Sequence, residues 1–349
     1  MSAGWTTRRA TAGDQEAVLA LLGRAHAGDE TAALSVAEWE WLFLRNPGGA
    51  GLQYVVADAG ARLAGQYATV PLRMQIGGVV TQGLLSLNTA TDPEFQRQGI
   101  FTTLAETLYG EAEGSFALVY GFPNARSAPG FYRRLGWLDL GAPRLLLRPL
   151  RSPGRRFPRR GIALGLAVGA PALRALDAVG GRAPRAEPFD AFDSWADRIW
   201  ARAAPALGTA AVRDAAFLRW RFDDAPREYR RWSVGEEPDG YAVSRLVPWR
   251  GTTIAYLMEL IAPSRAVATG LLRAVMTDAH RDGAVAICAV ATPHHPHRSA
   301  LLRSGFLPVP VGLTPGLSFG VRALSDDVPR SAILSLDDWY LSAADYDWV

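Results

Sequence analysis

The sequence predicts an α+β protein built from two related halves, each a mixed, mostly antiparallel central sheet flanked by helices. Three observations carry this expectation. The chain repeats itself: Trp41, Phe43 and Pro47 recur as Trp220, Phe222 and Pro226, while Gly114 and the pair Gly136 and Trp137 recur at one common offset as Gly283 and the pair Gly305 and Phe306. The order of elements around the repeated glycines is also the same. A helical pattern ends at the first glycine, then come a short apolar run (116–120 and 284–290), a loop, a short helix and the Gly-aromatic pair. Finally, Gly60 and the pair Gly77 and Gly78 separate long β-type runs at hairpin spacing.

In the first half, residues 14–24 place Ala17, Val18, Leu21 and Leu22 at helical spacing, with Asp14 as the expected N-cap. Residues 52–57, 62–76 and 79–91 read as three strands of an antiparallel meander. A helix over 100–113 follows, with Ile100, Leu104, Ala105 and Leu108 on its apolar face. The run 116–120 reads as a buried strand and 127–135 as a short helix.

The length of 349 residues fits two domains, expected over 1–147 and 189–349 and joined by a linker over 148–188. Six arginines and three prolines fall between Arg148 and Arg160, and 161–179 is apolar but interrupted by Pro171 and Arg174. That stretch is too short to span a bilayer. It reads first as a linker helix packed between the domains and second as a basic interfacial segment touching anionic lipid. The single cysteine, Cys288, lies in an apolar run, which excludes a disulfide framework and a Cys-rich metal site. With no secretory leader pattern, the expected location is cytoplasmic. A net charge of +3 implies no nucleic-acid partner. Every basic residue is arginine, so lysine Schiff-base chemistry and a Walker-type phosphate lysine are both excluded.

Chemistry concentrates between Leu87 and Leu104. A strand ends near Thr91, Asp92 and Pro93 form a tight turn, and a loop enters a helix at Gly99 or Ile100. Free N–H groups at such a helix start, with the helix dipole behind them, make an anion site, and Arg97 adds a charge.

These residues resemble a known family. Gln96, Arg97, Gln98, Gly99, Ile100 and Phe101 are similar to the Q/R-x-x-G-x-G/A pyrophosphate loop of the GNAT superfamily of acetyl-CoA-dependent N-acyltransferases. Asn124, followed by Phe131, Tyr132, Gly136 and Trp137, is similar to that family's N-x(several)-Y-x-x-x-G-F segment. With the repeat, the chain resembles a tandem GNAT protein. The resemblance implies acetyl-CoA as cosubstrate, a small-molecule amine as acceptor, direct attack in a ternary complex, and no metal. It implies that Thr89, Ala90 and Thr91 pair with the pantetheine amides, that the loop from Gln96 through Thr102 holds the pyrophosphate, and that Asn124 contacts the pantetheine arm. Tyr132 matches the tyrosine that protonates the departing thiolate, a job suited to a phenol whose pKa lies close to a thiol's. The departure is Phe101, where the family has Gly or Ala, which implies a tighter cradle. In the second half the loop position falls on 265–270, with Ala268 in place of Gly99, Pro293 in place of Asn124 and Leu301 in place of Tyr132. That half reads as a degenerate copy that shapes the substrate cleft.

The base that deprotonates the amine has no clear signature. Glu259 either faces the cleft or pairs with an arginine, and the terminal carboxylate at Val349 is the alternative, carried by an aromatic and acidic tail. His294, His295 and His297 crowd one Pro-bounded loop without the spacing of a metal site, which favours substrate contact or plain surface. The tryptophans read mainly as core. Candidate acceptors are an amino sugar or aminoglycoside-like amine and an amino-acid or peptide amine. Two alternatives stay open: a non-catalytic acyl-CoA-binding protein, and a peripheral acyltransferase using longer chains.

Overall fold

The computed structural model describes residues 4–27, 34–151, 169–171, 173, 183–310 and 318–346. Strands β1 (Thr6–Arg9), β2 (Gln53–Asp58), β3 (Leu63–Ile76) and β4 (Val79–Thr91) pair antiparallel in sequence. Helix α3 (Ile100–Ala112) then crosses to β5 (Leu118–Gly121), which runs parallel to β4. Helices α1 (Gln15–Ala25), α2 (Val36–Phe43) and α4 (Ala128–Arg134) and the short strand β6 (Leu138–Asp139) complete the local elements. Asp14 does not cap α1 with its side chain. It closes a capping box with Thr11 one turn earlier and accepts two hydrogen bonds from Arg8.

After β7 (Arg144–Pro149) the second half repeats the plan. It comprises β8 (Ala186–Pro188), α5 (Trp195–Ala203), β9 (Ala210–Ala211), α6 (Ala215–Leu218), β10 (Arg230–Val234), β11 (Gly240–Trp249) and β12 (Thr252–Ile261). Then come α7 (Arg265–Arg281), β13 (Ala286–Ala291), α8 (Arg298–Arg303), β14 (Leu307–Pro308) and β15 (Gly320–Ala323).

The first sheet is ordered β1-β2-β3-β4-β5-β15-β6 and the second β8-β10-β11-β12-β13-β7-β14. The two orders are the same, except that the first sheet also carries β9, from the second half, paired with β3; in addition each sheet takes an inner strand from the other half of the chain. Strand β7, from the first half, lies between β13 and β14; β15, from the second, lies between β5 and β6. The sheet boundary therefore does not follow the expected domain limits at 147 and 189. Most of the expected 148–188 linker, including most of its arginine-rich and apolar stretches, lies outside the described residues. Among those described, no helix is long and apolar enough to cross a membrane.

The largest core lies between the sheets and includes residues of α1, α2, α5 and α6. At its centre the repeated tryptophans meet. The Trp41 and Trp220 rings stack at 5.1 Å, and each indole N–H donates to the other residue's carbonyl, at 2.5 and 2.9 Å. A reciprocal pair of this kind is what two copies of one motif form across a two-fold-like seam. Trp232, by contrast, sits on strand β10 rather than on a helix. Helices α3 and α4 cover the outer face of the first sheet, α7 and α8 that of the second.

Candidate active site

Strands β4 and β5 are in register only from Gly83 opposite Leu118 to Ser86 opposite Gly121; β4 then continues to Thr91 while β5 ends. A bulge marks the parting. Gln66 pairs with Ala90 but Ala68 pairs with Leu87, so Asn88 and Thr89 share the place opposite Tyr67. Asn88 takes φ +50°, a left-handed conformation that asparagine tolerates better than most residues. The Gln66 amide donates to the Asn88 carbonyl at 2.6 Å. Thr89 Oγ1 and Gln66 Oε1 are buried beside the bulge with no hydrogen-bond partner among the described residues. Such orphaned groups suit a polar ligand strand such as the amide-bearing pantetheine arm of a coenzyme.

The connection from β4 to α3 is pinned at its root. Asp92, 1% exposed, accepts from Arg24 of α1 at 2.7 Å and from the Glu94 N–H at 3.0 Å. Burial alone would raise its pKa, but Arg24 and the other partners hold it below the usual carboxylate range. From Gln96 to Gly99 the loop is exposed, with Arg97 and Gly99 at φ +64° and +79°. The first bond into α3 runs from the Thr103 N–H to the Gly99 carbonyl at 3.0 Å. The N–H groups of Ile100, Phe101 and Thr102 precede it and head the helix, as an anion cradle requires. Ile100 contributes backbone only, since its side chain is buried against Gly65. Phe101 turns away from the loop. Its ring packs edge-on against Phe131 at 5.0 Å and lies so close over Gly130 that a Cβ there would sit 2.6 Å from it. The departure from the family pattern is thus absorbed by a glycine in α4.

Tyr132 lies on α4, on the same face of the sheet as α3. Its ring rests on Gly320 of the exchanged strand β15, where a Cβ would come within 2.8 Å of it. Gly320 pairs with Gly121, and Gly121 with Ser86, so the tyrosine stands in the row where β4 and β5 part. Burial pushes the phenol up to about 12, keeping it protonated at neutral pH. Asn124 is exposed just ahead of the turn that leads into α4, where its side-chain oxygen accepts from the N–H groups of Arg126 (2.9 Å) and Ser127 (3.1 Å). That use leaves its amide nitrogen, rather than its oxygen, as the group to offer a ligand.

Glu259 is brought to a different place. Its side chain is fully buried, accepting from Arg213 Nε at 2.7 Å, Ser342 Oγ at 3.0 Å, the Leu260 N–H at 3.1 Å and the Tyr340 hydroxyl. Arg213 also holds Asp345 at 2.7 Å. Burial opposes the charge on Arg213, but the two carboxylates outweigh it and hold the guanidinium firmly protonated. Of the two roles open to Glu259, the arginine pairing is the one the packing realises. Val349 lies outside the described residues. The tail before it is anchored, because Arg221 donates to the carbonyls of Ala344 (2.9 Å) and Tyr346 (3.0 Å), and Tyr346 stacks on Phe122 at 3.8 Å just past β5.

The second half has no comparable loop between β12 and α7. Residues 265–270, aligned by offset with the pyrophosphate loop, lie inside α7; only Ala262, Pro263 and Ser264 join β12 to that helix. His295 and His297 are interior rather than surface, and burial lowers their pKa values to about 3 and 4. Among the described residues no group of His, Cys, Asp or Glu is placed to hold a metal ion. Asn88, Gln66 and Ser318 were not singled out by sequence reasoning. A lone Asn in a β-run was the one available signal for the bulge.

A split parallel pair beside an open helix N-terminus, on a mixed sheet, is the feature that sets the first half apart. Residues 6–138 match the family model described as an acetyltransferase (GNAT) domain. The fold of the chain is similar to a GCN5-related N-acetyltransferase from Anabaena variabilis (TM-score 0.64, 13% identity, 92% of this chain and 73% of that one). It is also similar to a GCN5-related N-acetyltransferase from Kribbella flavida (0.61, 15%, 91% and 71%) and to Eis1 from Mycobacterium abscessus (0.56, 14%, 92% and 73%). No curated protein matches the sequence.

Proposed function

We propose that the protein is an N-acetyltransferase that moves acetyl from acetyl-CoA to a primary amine of a small molecule by direct attack in a ternary complex. The observation that carries this reading is the parting of β4 from β5, with the open N-terminus of α3 and the Tyr132 phenol on one face of it. The loop from Gln96 to Thr102 binds the pyrophosphate through its N–H groups, with Arg97 adding charge. Thr89, Ala90 and Thr91, with Gln66 and the Asn124 amide, hold the pantetheine arm. A β4 N–H at the split stabilises the oxyanion that develops on the thioester carbonyl. Tyr132 gives its proton to the departing thiolate.

The acceptor approaches from the opposite face, where Leu85 and Leu87 of β4 meet Phe122 and the anchored tail. Candidate acceptors are an amino sugar, an aminoglycoside-like amine or an amino-acid-type amine. The amine loses its proton to a base carried by that tail, for which the Val349 carboxylate is proposed. Glu259 acts only by holding the tail in place. A cytoplasmic location accords with the single, buried Cys288.

Titration calorimetry with acetyl-CoA tests the donor: one site per chain is expected, and an absence of binding by the folded protein would end the proposal. A thiol-release assay across amino sugars, aminoglycosides and amino acids tests the reaction. Binding without amine-dependent release from any of them would leave an acyl-CoA-binding protein instead of an enzyme.

A further inference from the structure

The second half of the chain reaches into the site of the first at one point that the proposed mechanism does not use. Ser318, directly ahead of β15, places its hydroxyl against the Tyr132 phenol. The same Ser318 oxygen lies 3.4 Å from Asp139 Oδ1 on β6, and Asp139 is held in turn by the Gly141 N–H at 2.9 Å. Two residues on, Gly320 forms the flat bed on which the Tyr132 ring rests. The exchange of β15 between the sheets is what brings serine, glycine and tyrosine together.

We propose that Ser318, supplied by the C-terminal half, is the positioning residue of Tyr132, holding its phenol in place both before and after proton donation, with Asp139 steering the serine hydroxyl. The inference rests on the reading of Tyr132 as the acid. A hydroxyl suits this task because it both accepts and donates. While Tyr132 is protonated, the phenol donates to Ser318 Oγ and the serine donates to Asp139. When Tyr132 has passed its proton to the thiolate, the serine hydroxyl turns and donates to the phenolate. The phenolate recovers a proton from water once the products have left, so protons balance without a net transfer through Ser318.

Asp139 is the charged group beside the phenol. Arg322 of β15 points elsewhere, over the Tyr109 ring at 4.7 Å and to the Leu135 carbonyl at 2.8 Å, while Arg133 and Arg134 of α4 are exposed to solvent. The serine contact lowers the phenol's pKa and the Asp139 charge raises it. The two neighbours therefore predict shifts of opposite sign.

The test places 3-fluorotyrosine at position 132 of the full chain by amber suppression and titrates it by fluorine NMR, which needs neither coenzyme nor acceptor. Ser318→Ala is expected to raise the midpoint and Asp139→Asn to lower it, each by about half a pH unit or more, while Ser318→Thr stays near the parent. A midpoint unmoved by Ser318→Ala overturns the proposal. In thiol release with acetyl-CoA, Ser318→Ala is expected to lower kcat about tenfold with KM within about twofold, and Ser318→Thr to restore it. In a Tyr132→Phe background Ser318→Ala should cost nothing further; an additive loss would make the serine merely structural. If Tyr132→Phe itself keeps full kcat, the acid reading fails, whereas a slow Tyr132→Phe beside a fully active Ser318→Ala sinks the positioning role alone.

Discussion

The two sheets follow one strand order, apart from β9 paired on β3, and differ most in the connection that follows the fourth strand. In the first, residues 92–99 leave β4, curl through two positive-φ residues and present the start of α3 to solvent. In the second, three residues turn straight into α7, and the first-turn N–H of Val267 is met by the side chain of Ser264. The space beside β12 is taken up by Glu259, Arg213, Tyr340, Ser342 and Asp345. One copy thus leaves Thr89 Oγ1 and Gln66 Oε1 without a partner among the described residues at the strand split, while the other fills the corresponding space with a buried ion network. Topology alone does not make a site in this fold; the length of one loop and the fate of a few polar atoms do.

The most severe test of this contrast removes the network's centre. Arg213→Ala leaves two carboxylates buried without their cation and is expected to cost about 3–5 kcal/mol in urea unfolding. A cost under about 1 kcal/mol would show that the second cleft is not held shut in this way. Glu259→Gln should likewise lose stability; unchanged stability with a collapsed kcat would return Glu259 to the role of base.

Next in size is Gly99→Glu, which sets a carboxylate at the open helix start on left-handed backbone. Acetyl-CoA affinity is expected to weaken about 100-fold by calorimetry. The matching change in the second half, Ser264→Glu, should leave that affinity within about twofold while losing about 1 kcal/mol of stability with its N-cap bond. Equal effects of the two changes would erase the distinction between the copies.

Acid separates the halves as well. His295 and His297 are buried neutral, with pKa values near 3 and 4, below that of an unfolded histidine. Their contribution is complete above about pH 6.5 and is lost as pH falls toward 4 and 3, because the unfolded chain takes up protons first. Between pH 7 and 5.5 the expected loss is about 1–3 kcal/mol. A His295→Phe, His297→Asn variant should flatten that slope, and a slope left intact would assign it elsewhere.

The smallest effect tests where the halves are alike. Trp41→Phe and Trp220→Phe each strip one indole N–H from the reciprocal pair, and each should cost about 1–2 kcal/mol. The two costs are expected to agree within about 0.5 kcal/mol, and a clear inequality would mean the seam is symmetric in shape but not in energy.

Much of this was legible along the chain. Leu104, Ala105 and Leu108 mark a helix by spacing, and Gly77 with Gly78 marks a hairpin by backbone freedom, since both patterns act between near neighbours. Gly99 announced the helix start for the same reason. The bulge at Asn88 was less visible, because one left-handed residue in a long β-run leaves only a faint trace in composition. The second-half alignment slipped because a fixed offset takes no account of a shortened loop, and the helix simply begins four residues earlier than that offset places it.

Local pattern therefore settled the elements, their order and the exposed loop that opens α3, through steric and hydrogen-bonding preferences that reach only a few residues. Three things were decided by the folded chain: the exchange of β7 and β15, the burial of Glu259 beneath Arg213, and the meeting of Ser318 with Tyr132. Each joins residues from distant parts of the chain. Such contacts depend on which sheet edge a strand finds and on how two desolvated charges can pair, and neither is encoded in the residues next to them.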